Sequence, residues 1–281
     1  MKVTLIQMDI VWENPKANQE TAERLMRSAE KSDLYVMPEM WNTGVTTEPQ
    51  GILEMKNEEL RMKNEGGESS LQWMQRMANE LDAAVAGSMA VHLQDGTYRN
   101  RLYFVTPSPL HGGGGESGTM KSPSSGGGLE GGWYDKHHLF SYGGETENYT
   151  PGNEYVTVEW RGIRFHLSIC YDLRFPLWLR NRDDYDVLIC VASWPAVRTH
   201  AWNVLLQARA IENQCYVLGV NRIGKDPYCE YSGGTAIVDP FGFATSCPIN
   251  EAFALTQTLD MKRLKSFRAK FPVLKEQDSL S

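Results

Sequence analysis

Ile163–Pro176 reads IRFHLSICYDLRFP and holds the decisive pattern of the chain. Ile163, Phe165, Leu167 and Ile169 alternate with Arg164, His166 and Ser168, the two-residue period of a half-buried strand. The alternation stops at Cys170, where Tyr171-Asp172-Leu173-Arg174 begins, so the predicted strand delivers a thiol to its carboxyl end beside charged groups. Open α/β sheets place their chemistry at such strand ends. A cysteine there is a nucleophile only where one neighbour takes its proton and another holds the oxyanion it creates. Buried structural cysteine is the commoner case, so partners elsewhere in the chain decide the matter.

The bulk properties narrow the field. With 281 residues the chain is long enough to bury a full core, and its net charge of −7 gives no reason to expect nucleic acid or an anionic membrane as partner. A small anionic substrate stays open, because a local basic pocket can exist on an acidic surface. MKVTLIQMDIVWENP turns polar at Asp9, too soon for a signal-peptide core, and no apolar run approaches a membrane span, so the chain reads as cytoplasmic. The five cysteines, at 170, 190, 215, 229 and 247, form no CxxC pair and are odd in number. That argues against a zinc knuckle and a disulfide framework, and most are expected to be buried thiols.

In chain order, Val3–Met8 is a first predicted strand, and Asn14-Pro15 caps a helix to about Lys31. Leu34–Met37 is a second strand running into Pro38-Glu39-Met40-Trp41. Leu71, Met74, Met77 and Leu81 predict a helix over Ser69–Leu81. Ala83–Leu93 and Tyr98–Thr106 form a hairpin across Gln94-Asp95-Gly96-Thr97. Residues 107–132 are rich in Gly, Ser and Pro with almost nothing to bury, and are expected to be a surface insertion within one domain spanning 1–281. Trp133–Lys136 resumes a strand. Tyr155–Trp160 pairs with Ile163–Ile169, a short helix is expected near Pro176–Asn181, and Val187–Ala192 is a strand leading to Ser193-Trp194-Pro195. His200–Gln214 is read as a helix burying Val204, Leu205, Ala208 and Ile211, with Arg209 and Glu212 as salt-bridge partners on it. Cys215–Val220 follows as a strand, Thr235–Val238 is expected to pair with Ala252–Leu259, and a basic helix from Met261 to about Lys270 precedes a polar tail to 281. The order implies an α/β fold with mixed sheets.

Glu39, Lys136 and Cys170 share one property: each sits where a predicted strand gives way to a loop. Together they make a workable acyl-transfer set. The carboxylate accepts the thiol proton, the ammonium lowers the thiol pKa and balances an oxyanion, and the sulfur attacks an amide or nitrile carbon. The backbone N–H of Tyr171 is a second candidate oxyanion donor. At strand exits and outside the apolar core, Lys136 and Glu39 are expected to be replaceable without loss of the fold. The competing readings are a solvated lysine, a loop glutamate in water, and a Cys–His site built from His137, His138, His166 or His200, for which no local signature is present.

PEMWNTG around Glu39, YDKHHLF around Lys136 and CYDLRFP around Cys170 resemble the three signature segments of the nitrilase (carbon–nitrogen hydrolase) superfamily, in the right order. ASWP (192–195), QARAIENQ (207–214) and IVDPFG (237–242) extend the resemblance over nearly the whole chain, and the wording is most similar to the omega-amidase branch. The resemblance implies a four-layer α-β-β-α sandwich, a homodimer formed through one helical layer, and a reaction needing no metal or organic cofactor. It makes Cys170 the nucleophile, Glu39 the general base and Lys136 the oxyanion stabiliser. A second glutamate follows the lysine in many members; Glu145 is the nearest match, with Glu147 as the alternative. Tyr171, Arg174 and Trp194 are substrate-binding candidates, and carbamoyl-hydrolysing relatives use an arginine at the place of Arg174 for a substrate carboxylate. Arg174 paired with Asp172 or with a helix terminus is the competing reading.

The function this implies is hydrolysis of the terminal amide of a small 2-oxo acid, 2-oxoglutaramate or 2-oxosuccinamate, through a cysteine thioester. An N-carbamoyl amino acid hydrolase would use the same triad, and a catalytically silent interaction protein is the reading from another class. The insertion departs from the family pattern and ends four residues before Lys136.

Overall fold

The computed structural model describes residues 1–50, 68–108 and 131–276. Strands β1 (Lys2–Gln7), β2 (Leu34–Val36), β3 (Ala84–His92), β4 (Tyr98–Val105) and β5 (Gly131–Asp135) lie side by side in one sheet. The second sheet holds β6 (Thr157–Trp160), β7 (Ile163–Ile169), β8 (Val187–Ala192) and β9 (Tyr216–Asn221), and a hairpin of β10 (Ile223–Lys225) and β11 (Glu230–Ser232) stands apart. The second sheet is extended by β12 (Ala236–Val238) and β13 (Ala244–Ser246), while β14 (Phe253–Thr258) returns to the first, against β1. Each sheet has three parallel strands at its centre, β1-β2-β3 and β7-β8-β9, flanked by antiparallel neighbours.

Three apolar clusters fix the layers. Leu5, Val36, Ala86 and Phe104 from the first sheet meet Phe165, Leu167, Ile189 and Leu218 from the second, so the sheets pack face to face. The outer face of the first sheet is covered by helices α1 (Pro15–Ser28) and α2 (Ser70–Leu81), through Leu25, Met26, Trp73 and Met77. Among the described residues the other helices are α3 (Glu145–Asn148), α4 (Thr199–Glu212) and α5 (Met261–Lys270), and α4 covers the outer face of the second sheet through Trp202, Leu206 and Ala210. This is the expected α-β-β-α sandwich. Both main helices on the first sheet start as their sequences dictate: Asn14 and Ser69 each accept a backbone N–H, and Ser69 with Gln72 closes a capping box.

Several expectations are corrected. The Ile163–Ile169 strand is buried on both faces, because the rings of Tyr155 and Tyr185 and the turn after Cys170 cover the side that alternation assigned to water; His166 and Ser168 are fully buried. The α4 face is different from the one expected. Val204 and Ile211 are 47% and 54% exposed, while Trp202, Leu206, Arg209 and Ala210 point inward. Apolar residues fall all round this helix, so periodicity selects no face, and the large ring of Trp202 takes the sheet. Gly219 on β9 permits that contact, since a Cβ there would lie 2.5 Å from Leu206 Cδ1.

No helix forms over 176–181. A 3₁₀ turn occupies Cys170–Arg174 instead, and the chain beyond is tied off by Asn181 N–H donating to Asn213 Oδ1 (2.9 Å) and the Arg180 guanidinium donating to the Glu212 carbonyl (2.7 Å). β12 pairs with the fully exposed β13, which has no apolar pattern to announce it, and not with β14. β5 begins at Gly131, two residues before the expected strand, where a Cβ would fall 1.9 Å from the Phe104 carbonyl oxygen. The rest of the expected insertion, 109–130, lies outside the described residues, as does the tail from 277.

His166 sits between the rings of Tyr155 and Tyr185, at 4.0 and 5.1 Å, and burial pushes its pKa down to about 4. The unfolded chain therefore binds a proton at this residue before the native state does. Its contribution is complete above the ordinary histidine value and is lost as pH falls from about 6.5 through 4, by about 3 kcal/mol in all. Urea unfolding between pH 7 and 4 is expected to show this acid loss in the wild type and a flatter profile in His166→Phe. Superimposable profiles would show that His166 carries none of it.

Candidate active site

The strands bring Glu39, Lys136 and Cys170 to one end of the sandwich. Glu39 follows β2, Lys136 follows β5 and Cys170 follows β7, all at carboxyl ends. Register explains the meeting of the first two: β3 and β5 run alongside β4 in the same sense, and Lys136 N–H donates to the Asn100 carbonyl at the near end of β4 (2.9 Å).

Lys136 is 2% exposed and donates to Glu39 Oε1 at 2.9 Å and to Glu145 Oε1 and Oε2 at 3.1 and 2.8 Å. The structure brings Glu145, from the first turn of α3, to the lysine and leaves Glu147 exposed. Phe140 N–H donates to Glu145 Oε2 (2.7 Å) and Ser193 N–H to Glu39 Oε2 (2.9 Å), while Asn100 Nδ2 bridges the two carboxylates at 2.8 and 3.1 Å. The solvated-lysine and loop-glutamate readings fail on burial alone. So does the expectation that Lys136 is replaceable without structural cost, since its ammonium is the counter-charge to two buried carboxylates.

Burial opposes the charge of Lys136, but Glu145, Glu39 and Cys170 outweigh it and hold its pKa well above the ordinary lysine range. Cys170 goes the opposite way from the expected activated thiolate. Burial pushes its pKa well up and the Glu39 carboxylate adds to the rise, against a smaller opposing pull from Lys136. The charges explain this: Glu39, Glu145 and Lys136 already carry one net negative charge, and a thiolate would add a second in a poorly solvated site. Passing the thiol proton to Glu39 leaves the cluster's net charge unchanged.

The turn that presents Cys170 is strained and braced. Cys170 has φ +47°, in the left-handed region that side chains other than glycine seldom adopt. Asp172, fully buried, accepts from Ile169 N–H (3.0 Å), Tyr134 Oη (2.8 Å) and His138 N–H (2.9 Å), with His138 Nδ1 at 2.9 Å. Arg209 donates to the Leu173 carbonyl from behind (2.7 Å), beyond its expected bond to Glu212 (2.8 Å). With its oxygens committed, Asp172 is no partner for Arg174. At the start of the 3₁₀ turn, the N–H of Tyr171 has no carbonyl within the turn to receive it, as a helix's first N–H groups do not. His166 is in the core and His200 is exposed, so neither is a base for the thiol.

A cavity of about 270 Å³ opens over Cys170, with Glu39, Lys136 and Glu145 at its floor. Tyr171, Arg174 and Trp194 all line it, the Arg174 guanidinium lying 4.8 Å over the Trp194 ring. Trp202, behind, packs on Trp194 at 5.4 Å.

The carbon–nitrogen hydrolase family model matches residues 2–269. The chain belongs to that family. This carbon–nitrogen hydrolase is 35% identical over 280 residues to the omega-amidase YafV of Escherichia coli, covering 99% of this chain and 97% of the relative. It is 30% identical over 275 residues to the 2-oxoglutaramate amidase of Bacillus subtilis, covering 96% and 95%. Among solved structures, a CN-hydrolase superfamily protein of Xanthomonas campestris with an arsenic adduct in its active site matches with TM-score 0.81 and 32% identity, over 100% of this chain and 98% of that one. The hydrolase thus acts on carbon–nitrogen bonds other than peptide bonds, as an amidase, and no helix among its described residues is long and apolar enough to cross a membrane.

Sequence reading missed four contributors. Asn100 had a signal, an amide on the face of β4 that otherwise carries Leu102 and Phe104 inward. Ser193 holds the Glu39 carboxylate through its backbone N–H, with its hydroxyl donating to the Glu39 carbonyl (3.3 Å), and a loop serine carries no signal for either. Asp172 looked like one more charge beside the cysteine. The β10–β11 hairpin, which walls the cavity with Asp226, Tyr228 and Tyr231, is too short and polar to show a strand period.

Proposed function

We propose that this amidase is an omega-amidase, hydrolysing the terminal amide of a 2-oxo acid such as 2-oxoglutaramate. The Cys170 thiol passes its proton to Glu39 as the sulfur bonds to the amide carbon. The oxyanion sits between Lys136 Nζ and the Tyr171 N–H. Its collapse breaks the C–N bond, the proton held on Glu39 goes to the leaving nitrogen, and ammonia departs from a thioester. Water then gives a proton to Glu39 and attacks the thioester; the second collapse frees the carboxylic acid, which ionises in water, and returns the proton on Glu39 to the sulfur. Glu145 keeps Lys136 charged and aimed.

The observation that carries the substrate class is Arg174. It is an exposed guanidinium on the wall of the cavity above Cys170, stacked on Trp194, and Asp172, the acid nearest in sequence, is committed elsewhere. A planar fork so placed suits a carboxylate at the end of the substrate remote from the amide. The amidase names of the relatives support the same class. Ammonia release is expected to be faster, by about tenfold or more in kcat/KM, for 2-oxoglutaramate and 2-oxosuccinamate than for propionamide. Arg174→Lys is expected to raise KM for the acids far more than it lowers kcat. Equal turnover of propionamide by the wild type would refute the proposal, and preference for an N-carbamoyl amino acid would redirect it.

A further inference from the structure

Above Cys170 the cavity has a second guanidinium, that of Arg198, which none of the sequence patterns singled out. Arg198 ends a 3₁₀ turn, Ala196–Arg198, just after the Ser193-Trp194-Pro195 loop, and its guanidinium carbon lies 5.4 Å over the Phe140 ring. Its backbone is anchored on both sides, with its N–H donating to the Pro195 carbonyl (2.9 Å) and its carbonyl accepting from Trp194 Nε1 (2.9 Å). Trp194 therefore supports both cations, Arg174 on its ring face and Arg198 through its indole N–H.

Among the described residues, the acids lining the cavity are all committed. Glu39 and Glu145 are bonded to Lys136, Asn100 and backbone N–H groups. Asp226 accepts from Tyr228 N–H and Cys229 N–H (both 2.8 Å) through Oδ1 and from Tyr231 Oη (2.6 Å) through Oδ2. A ligand ammonium would find no free carboxylate among the described residues of this wall, and two guanidinium groups lining it. A ligand carbonyl oxygen would find donors.

We propose that Arg198 is the specificity-determining residue by which the pocket prefers a 2-oxo acid amide to the matching 2-amino acid amide. The inference rests on the proposed omega-amidase reading. With the amide carbon at Cys170 and the carboxylate at Arg174, the C2 substituent, next to the carboxylate, lies at the arginine pair. Arg198 donates to a 2-oxo oxygen there and repels a 2-ammonium group, so it rejects one substrate as well as favouring the other.

The test compares kcat/KM for 2-oxoglutaramate, glutaramate, glutamine and propionamide in the wild-type chain, Arg198→Gln and Arg198→Glu. The wild type is expected to rank 2-oxoglutaramate first and glutamine below glutaramate. Arg198→Glu is expected to lower the ratio of 2-oxoglutaramate to glutamine by about tenfold or more, with Arg198→Gln between. Glutaramate, with only hydrogen at C2, controls for general damage, because a purely structural role would lower all rates together and leave the ratios in place. Arg198→Gln provides the same comparison if Arg198→Glu fails to fold. A ratio unchanged within about twofold in a folded variant overturns the assignment, as does a wild type that hydrolyses glutamine as well as 2-oxoglutaramate. If 2-oxoglutaramate is no better than propionamide in the wild type, the omega-amidase reading itself fails, and the two failures are told apart.

Discussion

Cys170→Ala is expected to lower kcat at least about ten-thousandfold, to the background rate, while leaving thermal unfolding nearly unchanged. The large effect follows from the chemistry: no other group at the cavity floor forms a covalent bond to carbon as readily as sulfur, and Glu39 without a thiol has no nucleophile to deprotonate except water. The small effect follows from the site. Alanine meets the same left-handed backbone at φ +47° as cysteine does. The charges of Glu39, Lys136 and Glu145 stay paired with one another, and one small atom facing a cavity is all that is lost. Ammonia release, intact mass during turnover and a thermal melt check all three points. The acyl adduct should vanish in Cys170→Ala and persist in Cys229→Ala, since Cys229 is the other thiol lining the cavity. Cys190, Cys215 and Cys247 are buried, with burial pushing each up to about 12, and none is a rival. Residual turnover above about one part in a hundred with a surviving acyl adduct would move the nucleophile elsewhere.

The part of this site legible in the sequence is what strands announce. A strand with a strong period has a definite end, and Glu39, Lys136 and Cys170 each stand at one, so three residues far apart in sequence were brought together on topology alone. What escaped is contributed by backbone or by position within a face. The N–H of Ser193 holds Glu39 with no side-chain signature. Asn100 is visible only once the inward face of β4 is known. Periodicity does not select the α4 face because Val204 and Ile211 are as apolar as the residues that pack, and what decides is the fit of Trp202 and Leu206 against Gly219. The sign of the Cys170 shift was also out of reach. Proximity to a lysine is a sequence-level expectation, whereas burial and the net charge of the surrounding cluster are properties of the fold.

Lys136→Ala is expected to cost stability as well as activity, which separates it from Cys170→Ala. Removing the oxyanion's ammonium is expected to lower kcat by about a hundredfold or more. The same substitution leaves Glu39 and Glu145, 1% and 3% exposed, facing each other across the single amide of Asn100. Breaking a buried ion pair by deleting one partner typically costs about 3–5 kcal/mol, because the remaining charge is uncompensated. The pH dependence follows from the direction of the lysine's shift. Burial disfavours the ammonium, but Glu145, Glu39 and Cys170 together raise its pKa in the folded state. Its contribution is therefore complete below the ordinary lysine value of about 10.4 and is lost only as pH rises through the higher folded value. The gap in unfolding free energy between wild type and Lys136→Ala should accordingly stay constant from about pH 7 to 10 and close only in stronger alkali. Activity is to be compared well below the variant's melting temperature, so that lost rate is not lost fold. A variant with near-normal turnover and normal melting would show that Lys136 neither holds the oxyanion nor balances the two carboxylates.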